Sequence, residues 1–66
     1  MVNTQLLDKY IENSGLKIGF ICNKLGITRQ AFGKKRRGVS SFTAAEVYVL
    51  CVLCNITDDR DNIFLP

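Results

Sequence analysis

Residues 18–28, IGFICNKLGIT, restrict the fold more than any other stretch of this chain. Ile18, Ile21, Cys22 and Leu25 recur at the i, i+3, i+4, i+7 spacing that puts side chains on one face of an α-helix. Gly26 follows directly, as the left-handed residue that closes a helix should. Two residues later Thr28 offers a side-chain oxygen to cap a new helix. Two short helices joined by so tight a glycine-containing elbow make a helix-turn-helix.

The flanking segments carry the same period. Leu6, Leu7, Tyr10 and Ile11 predict a helix over about Thr4–Asn13, with Asn3 or Thr4 as cap and Gly15 at its end. The second helix spans about Lys17–Leu25. The third runs from Arg29 to about Arg36 and is closed by Gly38. Its only apolar residues are Ala31 and Phe32, so it is pinned by Phe32 and exposes the rest. A fourth helix has the strongest start signal. Thr43 and Glu46 form a T-x-x-E capping box, with Phe42 and Val47 at the staple positions. It continues through VYVLCVLC, residues 47–54, which is apolar on every face. A short fifth helix is expected in TDDRDNIFLP, capped by Thr57, with Asp58 and Asp59 on its N-terminal dipole. The one proline is the last residue, Pro66, so none of these helices is broken from within. The expected architecture is all-α: a compact bundle of four or five helices, forming a single domain over residues 1–66. A chain of 66 residues has room for one core and none for a deep enclosed catalytic cavity.

Charge is distributed unevenly along the chain. The six acids are Asp8, Glu12, Glu46, Asp58, Asp59 and Asp61. Between Asn13 and Ala45 there is none, and Lys17, Lys24, Arg29, Lys34, Lys35, Arg36 and Arg37 all fall in that interval. A purely basic stretch on a chain of net charge +3 is the electrostatic footprint of a polyanion binder, or else a solvated face.

Helical geometry sorts the third segment. At about 100° per residue, Ala31, Phe32 and Lys35 point inward or sideways, leaving Arg29, Gln30, Gly33, Lys34 and Arg37 on the opposite face. Arginine pairs with guanine and glutamine with adenine through two hydrogen bonds each, so this face suits a major-groove reader. Gly33 leaves the middle of the face bare, allowing close backbone approach. Lys17 stands where a helix N-terminus favours phosphate. Cys22 is small enough for the following helix to pack over it, and Ile27 fills the elbow.

The segment SGLKIGFICNKLGITRQAFGKKRRGVSSFTAAEVYVLCVLCNITDD resembles the phage Cro and repressor helix-turn-helix family, also called the XRE family. The resemblance is carried by Ile21, Cys22 in place of the usual small alanine, Leu25, Gly26, Ile27, Thr28, Phe32 and Gly38, and by FTAAEVYVL further on. It implies a lambda-repressor-like bundle of about five helices, with the third helix, about Thr28–Arg37, in the major groove of a double-stranded operator. It implies base reading at Arg29, Gln30, Gly33 and Lys34. Phosphate contacts are expected at Lys17, Thr28, Lys35, Arg37 and the loop residues Ser40 and Ser41. Three departures stand out. Ile18 occupies a place where the family often has glutamine, and Lys17 substitutes for its phosphate contact. Lys35 replaces an apolar, half-buried residue, its stem covering the core and its ammonium reaching outward. Arg36 and Arg37 stand where the family commonly has an acid before the closing glycine.

Other chemistry has little support in the sequence. Cys51 and Cys54 form a C-x-x-C spacing, but inside an apolar helix, with no histidine and only Cys22 besides; buried structural thiols are expected, with no metal and no cofactor. No nucleophile–base pair can be named, so an enzyme is not expected. DDRD, residues 58–61, lacks the glycine and distal glutamate of a calcium loop. The longest apolar run is too short for a membrane span, and no secretory signal opens the chain; the expected location is the cytoplasm of a bacterial host cell. The reading is thus a DNA-binding transcriptional regulator, a Cro-like repressor. The alternative is a protein-interaction module that modulates another repressor through the apolar fourth helix and the tail NIFLP. The same surfaces suit a homodimer.

Overall fold

Local chemical signals start three of the helices and end two of them. The computed structural model describes residues 2–66, in which five helices follow one another: α1 Thr4–Ser14, α2 Ile18–Leu25, α3 Arg29–Arg36, α4 Ala44–Leu53 and α5 Arg60–Phe64. The Asn3 side chain accepts the Leu6 N–H at 3.2 Å and starts α1. Thr28 accepts the Ala31 N–H at 3.1 Å and starts α3. At α4 both halves of the capping box form: Thr43 Oγ1 accepts the Glu46 N–H at 3.1 Å, and Glu46 Oε1 accepts the Thr43 N–H at 2.9 Å. Gly15 and Gly26 close α1 and α2 in the left-handed conformation, with φ of 71° and 73°. These features match the sequence-based expectation to within a residue or two.

Two helix starts differ from it. Lys17 stands at the N-cap of α2, outside the helix, and its side chain makes no cap bond. At α5 the cap position belongs to Asp59, not Thr57, and Asp58 lies outside the first turn. The Asp59 carboxylate does not cap either. It accepts the Tyr10 hydroxyl at 2.5 Å and the Asn62 amide at 2.9 Å. A tertiary bond to α1 has taken the side chain that helix propensity alone would have assigned to the dipole.

One core cluster holds the helices together. Leu7 and Ile11 come from α1, Ile21 and Cys22 from α2, Phe32 from α3, Leu50 from α4, Cys54 and Ile56 from the following turn, and Ile63 from α5. Each fully buried side chain of this size contributes about 1.5–3 kcal/mol. α2 packs on both α3 and α4, while α5 packs on α1 and α4. An aromatic series extends the core: Phe32 meets Phe42 edge-on at 6.0 Å between ring centres, and Phe42 meets Phe64 at 5.6 Å. The Asn3 N–H donates to the Ile63 carbonyl at 2.7 Å, joining the start of α1 to α5. The radius of gyration, 10.4 Å, matches the ~11 Å of a close-packed chain this long.

Candidate nucleic-acid interface

α3 has too few apolar residues to be held by a core. Phe32 alone is buried, at 1% exposure. Two ion pairs supply the remaining anchorage, both at its C-terminal end. Lys35 Nζ lies 2.6 Å from Glu46 Oε1 of α4, and both side chains are largely buried. Arg36 Nη2 lies 2.6 Å from Asp8 Oδ1 of α1, and its Nε donates to the same oxygen at 3.0 Å. The Arg36 guanidinium also covers the Phe32 ring at 5.5 Å, and its carbonyl accepts the Thr4 hydroxyl at 2.6 Å. Arg36 thus has its acid on α1, twenty-eight residues away in the chain.

The Lys35 pair corrects an expectation. Its ammonium turns inward onto Glu46 instead of reaching toward solvent, as the phosphate role expected of Lys35 required. The physical reason is Glu46, a buried carboxylate that also completes the capping box of α4. Burial pushes its pKa up. The Lys35 ammonium and the Thr43 N–H and hydroxyl outweigh that, leaving it below the ordinary 4.5.

The opposite face of α3 is open. Arg29, Gln30, Lys34 and Arg37 are exposed, and Gly33 lies half-buried among them. Among the described residues, Lys17, Lys24, Arg29, Lys34 and Arg37 have no acidic partner. Every cation of the acid-free stretch is thus either clasped inward or left uncompensated. Three placements refine the sequence reading. The Arg29 guanidinium lies back across the first turn of α2, with Nη2 2.7 Å from where a Cβ on Gly19 would stand. The surface that Gly33 was expected to leave bare is partly covered by Arg37, whose Nη1 lies 3.2 Å from the corresponding point. The Thr28 oxygen is engaged as the cap of α3 while its residue stays exposed.

Ser40 and Ser41 are exposed, and they open onto a different region from Arg29 and Gln30. They line a groove of about 760 Å³ between the 38–42 loop, α4 and α5, which Tyr48, Phe64 and Leu65 also border. Beside it, Tyr48 and Val52 of α4 are 71% and 62% exposed, four residues apart on one helix face. Sequence periodicity could not have found this face, because α4 is apolar all round; only the packing decides which side is left over.

Cys22, Cys51 and Cys54 are free thiols. Burial raises the pKa of Cys51 against the opposing effect of Arg60, and burial also raises that of Cys54. No helix among the described residues is long and apolar enough to cross a membrane. Comparisons of the chain with protein-family models, with curated proteins and with solved structures gave no match.

Proposed function

We propose that this protein is a double-stranded DNA-binding transcriptional regulator of the Cro or repressor type, with α3 entering the major groove. The observation that carries the reading is the division of charge on α3. Its inward cations are neutralised by Asp8 and Glu46, whereas Arg29, Gln30, Lys34 and Arg37 share an exposed face without an acid. An uncompensated row of donors on a short helix, at the second position of a helix-turn-helix, suits base edges and the phosphates beside them. Gln30 and Lys34 are one helical turn apart and take the base-reading role, with Arg29 and Gly33 as the other candidates. Lys17, Thr28 and Arg37 flank them as phosphate ligands, while Ser40 and Ser41 fit that role less well, since they face the α4–α5 groove. No catalytic or cofactor chemistry enters this proposal. A cytoplasmic site of action in a bacterial host follows from the reading.

Binding to a generic duplex, followed by fluorescence anisotropy over a range of salt concentrations, tests the reading without knowledge of an operator. Each phosphate contact steepens the dependence of log K on log salt by about 0.9. Arg37→Ala should lower the slope by about one contact. Lys35→Met combined with Glu46→Gln, which removes the internal pair as a whole and keeps the cap oxygen, should leave the slope unchanged. No binding at low salt, or a slope lost equally in both variants, would overturn the proposal.

A second reading has its own observation. Tyr48, Val52 and Leu65, the last 75% exposed, give α4 and the tail an apolar surface that the fold does not use. It suits a homodimer or a partner repressor, and is compatible with DNA binding.

A further inference from the structure

Glycine inside a helix is disfavoured relative to alanine, so a helical glycine calls for a reason. Gly19 lies within α2 and is not among the residues of positive φ, so its backbone conformation needs no glycine. The three heavy atoms nearest to a Cβ built there all belong to one side chain, that of Arg29: Nη2 at 2.7 Å, Cζ at 3.5 Å and Nε at 3.6 Å. The bare Cα is therefore filled by a guanidinium from a residue ten positions on, in the next helix. The Gly33–Arg37 contact is different in kind, since residues four apart on one helix are neighbours anyway. Arg29 has no ion-pair partner to fix it. No ion pair competes with the contact its charged head makes over Gly19.

That position bears on its role. In a helix-turn-helix the first helix of the pair crosses the nucleic-acid backbone while the second reads the groove. Arg29 belongs to the second helix by sequence, but its charged head rests on the first. Resting on the proposed function, we infer that Gly19 is the seat of Arg29, and that the seated arginine grips a backbone phosphate instead of a base edge. Gly19 acts as a positioning residue that decides between these two uses of the same side chain. A methyl group at 19 displaces the guanidinium from α2.

The seat is tested on the free protein. A nuclear Overhauser effect between the Arg29 Nε–H and the Gly19 Hα protons is expected at low temperature; its absence overturns the seat. The phosphate role is tested with three unrelated 20-base-pair duplexes and the variants Gly19→Ala, Arg29→Ala and the double substitution. Arg29→Ala should weaken binding to all three about equally, by about eightfold at 0.1 M salt, and reduce the salt slope by about one contact. Gly19→Ala should reproduce part of that loss, and should have no effect once Arg29 is alanine. Alanine favours the helix, so Gly19→Ala keeps or raises the thermal midpoint, and a binding loss is not a folding loss. A Gly19→Ala effect that persists with alanine at 29 overturns the coupling. Loss confined to one duplex sequence makes Arg29 a base reader and overturns the phosphate assignment. If the unaltered protein binds none of the duplexes at low salt, the proposed function itself fails, and the phosphate role with it, while the seat still stands or falls on the spectrum.

Discussion

α3 sends a single side chain, Phe32, fully into the core and has only Ala31 as a further apolar residue, whereas α4 is apolar on every side and still leaves Tyr48 and Val52 in solvent. The two helices are of similar length, eight and ten residues, and pack into the same bundle. They are secured by different forces. Burial holds α4, with surface to spare. α3 depends on one aromatic anchor and on two ion pairs whose acids come from α1 and α4. A helix with one buried side chain and a wholly polar outer face has little apolar surface to hold it, and its fixation falls to charges on its other side. The difference predicts that α3 is sensitive to few positions and α4 tolerant at many.

Three variants probe that contrast beyond the DNA and seat experiments. The largest effect is expected from Phe32→Ala, which removes the anchor and opens a cavity in the core, at a cost of about 3–5 kcal/mol. The total stability of a domain this size is about 3–10 kcal/mol, so the variant should be partly or fully unfolded by circular dichroism at 25 °C. A loss under 1 kcal/mol would mean that the ion pairs alone suffice.

A smaller loss, about 1–3 kcal/mol in urea unfolding, is expected from Glu46→Gln, because Lys35 keeps its charge and loses its buried partner. The variant should also change the acid response. The folded Glu46 carboxyl lies below its ordinary 4.5, so its contribution is complete above about pH 4.5 and drains away as pH falls through the lower folded value. Asp59 is depressed in the same sense, first by the Tyr10 hydroxyl and then by the Asn62 amide, and its contribution remains in the variant. An acid-unfolding curve unchanged by Glu46→Gln would remove the Lys35 clasp from the account of how α3 is held.

The smallest effect is expected on α4. Replacing Tyr48 and Val52 together by serine should move the unfolding free energy by no more than about 0.5 kcal/mol. It should also abolish concentration-dependent association in sedimentation, if the protein self-associates through this face. A loss above 1 kcal/mol would show that these side chains belong to the core, and the contrast between the helices would narrow.

Much of this architecture was legible in the chain. Ile18, Ile21, Cys22 and Leu25 marked α2, the Thr28 and Thr43 caps marked two starts, and Gly15 and Gly26 marked two ends. Such signals act within a few residues and need no knowledge of the fold. What could not be read was long-range. Lys35 and Glu46 are eleven residues apart, Asp8 and Arg36 twenty-eight, and Tyr10 and Asp59 forty-nine. Each of these pairs takes a side chain that local reasoning had assigned to solvent, phosphate or a helix dipole. Likewise the outward orientation of Lys34 followed from helical geometry, but the turn of Arg29 onto Gly19 depended on where α2 lay.

The double use of one oxygen has a consequence for how the chain assembles. Glu46 Oε1 receives both the Thr43 N–H, which lets α4 begin, and the Lys35 ammonium, which docks α3. Initiating one helix and seating its neighbour are therefore parts of a single event. A cooperative unit runs from the end of α3 across the loop into the first turn of α4, although that loop carries almost no regular structure. In hydrogen exchange the amides at these two ends should open together, and the most polar helix of the protein should share the protection of its most apolar one.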